Sequence, residues 1–90
     1  MDIEYDPAKA ASNVKKHGVS FEEAATALLD SMALAMEDPY AEGERRWVLI
    51  GMSDRARLLT VVYALRDNRI RLISARSSTK RETRTYAQRV

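Results

Sequence analysis

The sequence predicts an α+β fold with two N-terminal helices, a mostly antiparallel sheet of about four strands, and a C-terminal helix. Two capped helical segments come first, runs rich in Val, Leu, Ile, Trp and Tyr fill residues 47–75, and a third capped segment follows. Short connections between strands favour antiparallel pairing, and we expect the helices on one face of the sheet. Ninety residues allow one domain, which we place at residues 1–90.

The first helix should begin at Asp6-Pro7, because an aspartate can cap free backbone N–H groups and proline suits the first helical position. A short strand at Ile3–Tyr5 can precede it. The expected buried face comprises Ala8, Ala11 and Val14. His17-Gly18 should end the helix, since glycine readily adopts the left-handed conformation of a C-terminal cap.

The second helix should begin at Ser20. Glu23 follows at the spacing of a capping box, in which each residue's side chain bonds the other's backbone amide. Apolar residues then recur at helical spacing, as in an amphipathic helix. They are Phe21, Ala24, Ala25, Leu28 and Leu29.

Short strand-like runs follow, separated by polar turns. The expected strands are Ala33–Glu37, Trp47–Met52, Leu58–Leu65 and Ile70–Ala75, with the indole of Trp47 in the core. Asp67-Asn68 is a tight-turn signal and should join the last two strands as a hairpin. The last helix should begin at Ser78 or Thr79, and with Thr79 as N-cap a second capping box includes Glu82.

Composition excludes several kinds of site. The absence of cysteine excludes a disulfide scaffold, a thiol nucleophile and a cysteine zinc site. The single histidine, His17, excludes a multi-histidine metal site and a two-histidine ribonuclease mechanism. No run approaches about eighteen apolar residues, and the N-terminus does not resemble a signal peptide. We therefore expect a cytoplasmic protein with no cofactor, no metal ion and no membrane contact.

Charge is distributed unevenly along the chain. Residues 1–44 carry three lysines and ten acids, a balance of −7, whereas residues 45–90 carry eleven arginines, one lysine and three acids, a balance of +9. This asymmetry indicates a polyanionic partner, above all nucleic acid. The alternative is that the two halves neutralise each other within the fold.

Two segments resemble the signatures of the BrnT toxin family. The first comprises Tyr5-Asp6-Pro7-Ala8-Lys9, Asn13 and residues 16–24; the second comprises Ile73-Ser74-Ala75-Arg76, Lys80-Arg81-Glu82 and Tyr86. The resemblance implies a type II toxin with a RelE-like fold that cleaves RNA. It also implies a BrnA-type antitoxin, a small ribbon-helix-helix protein through which alone DNA is contacted. Tyr5 departs from the tryptophan usual in the family.

Cleavage of RNA without a metal ion has three requirements. The 2′-hydroxyl must lose a proton, cations must stabilise the phosphorane, and the leaving 5′-oxygen should gain a proton. The chain is poor in bases near neutral pH but rich in arginine, which pairs bidentately with phosphate and keeps its charge. Stabilisation by arginine should therefore dominate, with one weak base.

Arg76 is the leading candidate catalytic residue. In a regular strand it shares a face with Ile70 and Leu72 and stands at the rim of a packed surface; the alternative is an arginine that only pairs with an acid. Arg69 and Arg71 have the opposite parity and could form a solvated edge or a phosphate-tracking stripe.

The last helix carries further candidates. Glu82 could be a base, an orienter of arginines or only a cap. Three cations, Lys80, Arg81 and Arg84, oppose the helix dipole unless an anion binds, although they could form a solvated face. Tyr86, one turn after Glu82, could contact phosphate or a base, or pack under the helix.

The family motif adds Lys9 as a phosphate-contacting residue, although by itself it is a surface lysine. His17 could cap the first helix or face RNA. The predicted catalytic residues are Arg76, Glu82, Lys9 and Arg81, and the predicted RNA-binding residues are Lys80, Arg84, Tyr86 and His17. Two rival hypotheses are a non-enzymatic nucleic-acid-binding module that uses Tyr63 and Tyr86, and an interaction protein whose basic surface is covered by an acidic partner.

Overall fold

A computed structural model describes residues 2–88, which form a five-stranded sheet and three helices. The elements are β1 (Asp2–Glu4), α1 (Pro7–His17), α2 (Phe21–Ala27), β2 (Leu34–Glu37), β3 (Arg46–Met52), β4 (Leu58–Arg66), β5 (Arg69–Ser77) and α3 (Lys80–Gln88). The strand order is β1-β5-β4-β3-β2, and only the β1–β5 pair is parallel. The α+β prediction is therefore confirmed, with β1 as the fifth strand. None of the helices described is long and apolar enough to cross a membrane.

Both predicted caps of α1 are present. The Asp6 carboxylate accepts a hydrogen bond from the Ala8 amide at 2.9 Å, and Gly18 adopts the left-handed conformation at φ 67°. The predicted buried face is wrong, because Ala8, Ala11 and Val14 are all exposed. The helix instead buries Asn13, a polar residue that hydrophobic periodicity does not select.

The Asn13 side chain fixes α1 to β5. Its amide nitrogen donates to the carbonyls of Val19 (2.9 Å) and Ala75 (2.8 Å), and its Oδ1 accepts from the Ala75 amide (3.1 Å). The side chain thus bonds both backbone groups of Ala75, as a neighbouring strand would. β1 pairs with residues 69–71 of β5, so Asn13 occupies the same edge of the strand nearer its C-terminal end.

The cap of α2 is half as predicted. The Ser20 hydroxyl accepts from the Glu23 amide at 3.0 Å, but the Glu23 carboxylate turns to the β3–β4 connection, where it accepts from Ser53 and forms an ion pair with Arg57. The Arg57 hydrogen bond is the main cause that lowers the pKa of Glu23 to about 2, against the opposing effect of burial. The helix ends at Ala27, so the side chain of Leu29 is 80% exposed rather than buried.

The core lies between the α1–α2 layer and one face of the sheet. Its buried apolar residues are Val19, Phe21, Ala24, Ala27, Leu49, Leu59, Val61, Leu72 and Ala75. A Cβ on Gly51 would lie 2.6 Å from the Ala27 carbonyl oxygen, so α2 can approach β3 this closely only over glycine. Trp47, predicted to be core, is half-buried, with the Arg45 guanidinium 5.7 Å from its ring centroid.

A bulge interrupts the pairing of β4 with β5. Val62 pairs with Ser74, whereas Tyr63 pairs with Leu72, so Ile73 is the extra residue in β5. A bulge of this kind places two residues of one strand against one of its partner, and it reverses the alternation of side chains beyond that point.

The bulge determines the face on which Arg76 lies. Leu72 and Ala75 both lie in the core, although they are three residues apart. Arg76 follows Ala75 and pairs with Thr60, so it lies on the opposite face. The prediction that Arg76 shares a face with Ile70 and Leu72 is wrong because it assumed a regular strand.

The helix α3 lies on that second face, contrary to the expectation that all helices share one face. Its first turn is bonded to β4 and β5 through Glu82, and the Tyr86 hydroxyl donates to the carboxylate of Asp30 at 2.7 Å. The predicted hairpin turn is confirmed by positive φ values of 51° at Asp67 and 63° at Asn68.

Substitution of Asn13 by alanine should destabilise the fold, because it leaves the buried carbonyl and amide of Ala75 without this partner. Buried polar groups left unsatisfied cost about 1–3 kcal/mol each. Urea unfolding should therefore show a markedly lower midpoint for Asn13→Ala, whereas the exposed neighbour variant Lys15→Ala should match the parent protein. An unchanged midpoint for Asn13→Ala would contradict this role.

Candidate active site

Arg76 and Glu82 form a two-pronged ion pair where β5 ends and α3 begins. Arg76 Nη1 lies 2.7 Å from Glu82 Oε1, and Nη2 lies 2.9 Å from Oε2. The pair is partly accessible, with 42% of the arginine side chain and 22% of the glutamate side chain exposed. The guanidinium is therefore held in one orientation while part of it remains open to solvent.

The Glu82 carboxylate also completes the predicted capping box. Its Oε1 accepts from the Thr79 amide at 2.8 Å, and the Thr79 hydroxyl accepts from the Glu82 amide at 3.2 Å. The same Oε1 accepts from the Thr60 hydroxyl at 3.0 Å. Two roles that the sequence offered as alternatives, a helix cap and an orienter of arginine, are thus filled by one carboxylate.

These contacts strongly favour the ionised form of Glu82. The hydrogen bond from Arg76 is the main cause that lowers the pKa of Glu82 to about 2, with smaller contributions from Thr79 and Thr60 and an opposing effect of burial. The same bond raises the pKa of Arg76. A carboxylate this acidic is a weak proton acceptor near neutral pH, so it suits positioning better than general base catalysis.

Arg76 keeps hydrogen-bond donors for a ligand. A guanidinium has five N–H groups, and the fork to Glu82 uses two of them. A further contact from Nη1 to the Ser77 carbonyl is long, at 3.4 Å. The remaining donors can bind a phosphate oxygen, for which the planar guanidinium is well suited.

The predicted cations of α3 flank Glu82 in the sequence. Lys80, Arg81 and Arg84 are all exposed. None of the ion pairs found within residues 2–88 includes any of them. Their charges are therefore not neutralised by carboxylates in that part of the chain, and they add positive potential around Arg76.

The predicted aromatic residues are largely engaged within the fold. The Tyr86 hydroxyl donates to Asp30 Oδ2, which also accepts from the Met52 amide at 2.9 Å. Tyr63 packs against the core, and burial raises the pKa of its phenol. Tyr5 makes an edge-to-face contact with Phe21, with ring centroids 5.3 Å apart.

Lys9 and His17 are not among the contacts of the Arg76–Glu82 pair. They line a separate pocket of about 200 Å³ between α1 and β5, together with Lys16. Sequence reasoning passed over Lys16, although it lies seven residues after Lys9 and hence on the same helical face. It also passed over Thr60. The position of this polar residue inside the apolar run of β4 is the sequence feature that could have identified it.

The basic residues at the other end of β5 lie near acids. Arg69 forms an ion pair with Glu4 at 3.6 Å, and Arg71 adjoins Glu4 and Asp6 in a shallow depression. No group of three histidine, aspartate or glutamate side chains with metal-binding geometry occurs within residues 2–88.

An apolar groove of about 380 Å³ adjoins Glu82. Its apolar lining includes Met36, Pro39, Tyr40, Val48 and Ile50. Tyr40 is 89% exposed and Met36 is 47% exposed. Arg81 and Glu82 border the groove from α3, so it is continuous with the ion pair.

Comparison with known proteins places the chain in a family. A family model described as "Ribonuclease toxin, BrnT, of type II toxin-antitoxin system" matches residues 5–82. Among solved structures, the chain is similar to the crystal structure of the Brucella abortus ribonuclease toxin BrnT, with a TM-score of 0.65 and 24% sequence identity. That likeness covers 89% of this chain and 99% of the other, and it establishes the fold. No curated protein matches the chain.

The low pKa of Glu82 predicts a loss of stability in acid. Its pKa is about 2 in the folded protein against an ordinary value of 4.5. Between these values the unfolded chain binds the proton more readily, so stability should fall as the pH is lowered from about 4.5 towards 2. The shift corresponds to about 3 kcal/mol.

Urea unfolding at pH values from 2.5 to 7 measures this contribution. Glu82→Gln should lower stability at neutral pH and flatten the acid dependence, because glutamine keeps the cap but loses the charged fork. Glu37→Gln, which removes an exposed ion pair with Arg45, should behave almost as the parent protein does. Parallel pH profiles for the parent protein and Glu82→Gln would contradict the assignment.

Proposed function

The chain belongs to the BrnT family of ribonuclease toxins of type II toxin–antitoxin systems, and we propose that it is a metal-independent endoribonuclease that cuts RNA in the cytoplasm and thereby inhibits translation and growth. The observation that carries this proposal is the Arg76 guanidinium, oriented by Glu82 and left with donors for a phosphate. The helix that follows Arg76 carries the exposed cations Lys80, Arg81 and Arg84, which favour binding of RNA phosphates.

In the proposed reaction, the 2′-oxygen attacks the adjacent phosphorus and the bond to the 5′-oxygen breaks. The products are a 2′,3′-cyclic phosphate and a 5′-hydroxyl, the leaving oxygen having gained a proton from solvent. Arg76 donates hydrogen bonds to the phosphorane, whose extra negative charge makes those bonds stronger than in the ground state. We assign removal of the 2′-proton to solvent, because Glu82 is too acidic to accept it efficiently.

The cations of α3 bind and position RNA. Arg81 supplies a second charge near the scissile phosphate, and Lys80 and Arg84 hold flanking phosphates along α3. Tyr86 anchors α3 through Asp30. Electrostatic stabilisation without a well-matched base should give a modest turnover.

The family implies an antitoxin partner, and we propose a BrnA-type ribbon-helix-helix protein through which alone the toxin contacts DNA. The apolar groove beside α3 supports a docking position for an antitoxin segment. Apolar side chains would cover Met36 and Tyr40, while flanking acids would pair with Arg81, whose charge has no carboxylate partner within residues 2–88. Such a segment would exclude RNA from the Arg76–Glu82 pair.

Removal of the Arg76 guanidinium should abolish most of the cleavage. Arg76→Ala should reduce the rate about a hundred- to a thousand-fold, as loss of one transition-state donor typically does. Arg76→Lys keeps the charge but not the fork, and its rate should fall between those of Arg76→Ala and the parent protein. Cleavage is measured in EDTA as fragments that end in 2′,3′-cyclic phosphate.

The matched control is Arg66→Ala, which removes an arginine bonded to Glu44 at the far end of the same sheet and should leave the cleavage rate unchanged. Thermal melting checks that each variant is folded. Full activity in folded Arg76→Ala would exclude this residue from the mechanism. Binding of RNA by the parent protein without any cleavage would favour the non-enzymatic alternative.

The groove should be needed for antitoxin binding and not for cleavage. Met36→Arg and Tyr40→Ala should each weaken antitoxin affinity at least about ten-fold, because buried apolar anchors dominate such interfaces. Both variants should retain the parent cleavage rate. Leu29→Ala changes an apolar residue that is 80% exposed outside the groove, and it should bind antitoxin normally. Equal affinities for all three variants, measured by calorimetry, would exclude the groove as the docking site.

A further inference from the structure

The pocket between α1 and β5 is built entirely without carboxylates. Its lining includes Lys9, Ser12, Lys16, His17, Ile73 and Ser74. No ion pair found within residues 2–88 involves either lysine. The pocket therefore gathers cationic side chains from the half of the sequence that is otherwise acidic.

The pocket exists because the outer edge of β5 is covered in two separate places. The strand β1 pairs with residues 69–71, and the Asn13 side chain bonds the backbone of Ala75. Ile73, the bulge residue, and Ser74 lie between these two covered places, where the pocket opens. The position of the opening is thus determined by the pairing of β1 and by the hydrogen bonds of Asn13.

The helix dipole does not account for this set of cations. It stabilises positive charge at the C-terminal end of α1, where Lys16 and His17 lie, but it disfavours positive charge in the first turn, where Lys9 lies. No acidic residue occupies that first turn, and the Asp6 carboxylate that caps it is bonded to the Ala8 amide. A bound anion would explain why cations occur at both ends of α1. It would offset the unfavourable interaction of Lys9 with the helix dipole, and it would pair with Lys16.

We propose that this pocket binds a backbone phosphate of the RNA strand near the one that Arg76 engages. The inference rests on the proposed function and adds a second phosphate site to it. Ser74 precedes Arg76 by two residues on the same face of β5, a rise of about 7 Å. An RNA strand leaving Arg76 can therefore pass over Ser74 and the edge of β5 to reach Lys9 and Lys16.

The size and donors of the pocket fit a phosphate group. Its volume of about 200 Å³ is below the ~300–1,000 Å³ usual for pockets that enclose a whole organic ligand. Lysine ammonium groups supply charge without demanding one geometry, and the hydroxyl of Ser12 and the imidazole of His17 can add directional hydrogen bonds.

RNA binding by the full chain tests this proposal, with a 2′-O-methylated oligonucleotide as an uncleavable probe. Lys9→Ala/Lys16→Ala should weaken binding several-fold at low salt. It should also reduce the slope of log affinity against log salt by about 0.7, the value for one phosphate on a single strand. The single variant Lys16→Ala should change both quantities in the same direction.

Lys15→Ala is the matched control, because it removes an exposed lysine from the same helix but outside the pocket. It should leave the salt slope unchanged. On cleavable RNA, Lys16→Ala should raise KM with kcat nearly unchanged, since the pocket binds substrate and transition state alike. Equal effects of Lys15→Ala and Lys16→Ala would overturn the proposal.

Two further outcomes separate this inference from the proposed function. If the parent protein cleaves RNA but the double variant binds the probe with the parent's affinity and salt slope, the pocket is excluded and the ribonuclease proposal stands. If the pocket variants lose probe affinity but the parent protein does not cleave, the phosphate site stands and the ribonuclease proposal fails.

A double variant that loses affinity for the antitoxin alone would assign the pocket to a protein partner and overturn the RNA assignment.

Discussion

The Glu82 carboxylate is the constraint on which the position of α3 and the orientation of Arg76 both depend. It accepts hydrogen bonds from β4, from β5 and from the backbone amide that precedes its own helix. A neutral side chain could cap the helix, but only a carboxylate also holds a guanidinium with two parallel bonds. Because one group fulfils both needs, the docking of the helix and the geometry of the candidate catalytic arginine cannot vary independently.

Signals that depend on a few neighbouring residues predicted the local structure well. The caps at Asp6 and Ser20 and the turn at Asp67-Asn68 all occur where the sequence placed them. Hydrogen bonds from a polar side chain to residues distant in the sequence were not predictable in the same way. Glu23 has the spacing of a capping box, yet its carboxylate bonds residues about thirty positions away. Asn13 is buried for a reason that lies in another strand.

The Arg76–Glu82 pair was predictable from the sequence, but the other residues around it and the arrangement of the site were not. The pairing of Arg76 with Glu82 follows from short chain separation, so the sequence could indicate it. The face on which Arg76 lies depends on a bulge in the pairing of β4 with β5. A bulge is a property of the register between two strands, so the sequence of one strand does not reveal it. The separation of Lys9 from Arg76 likewise reflects how α1 is fixed to the edge of β5.

The bond between Asn13 and Ala75 joins residues 62 positions apart, and it sets the order in which the molecule can be completed. During synthesis the N-terminal part emerges first, but the edge to which β1 and α1 attach belongs to the last strand. Contacts between distant parts of a chain also form late because they close large loops. A partly translated chain that lacks β5 therefore has neither the edge to which β1 and α1 attach nor an assembled Arg76–Glu82 pair.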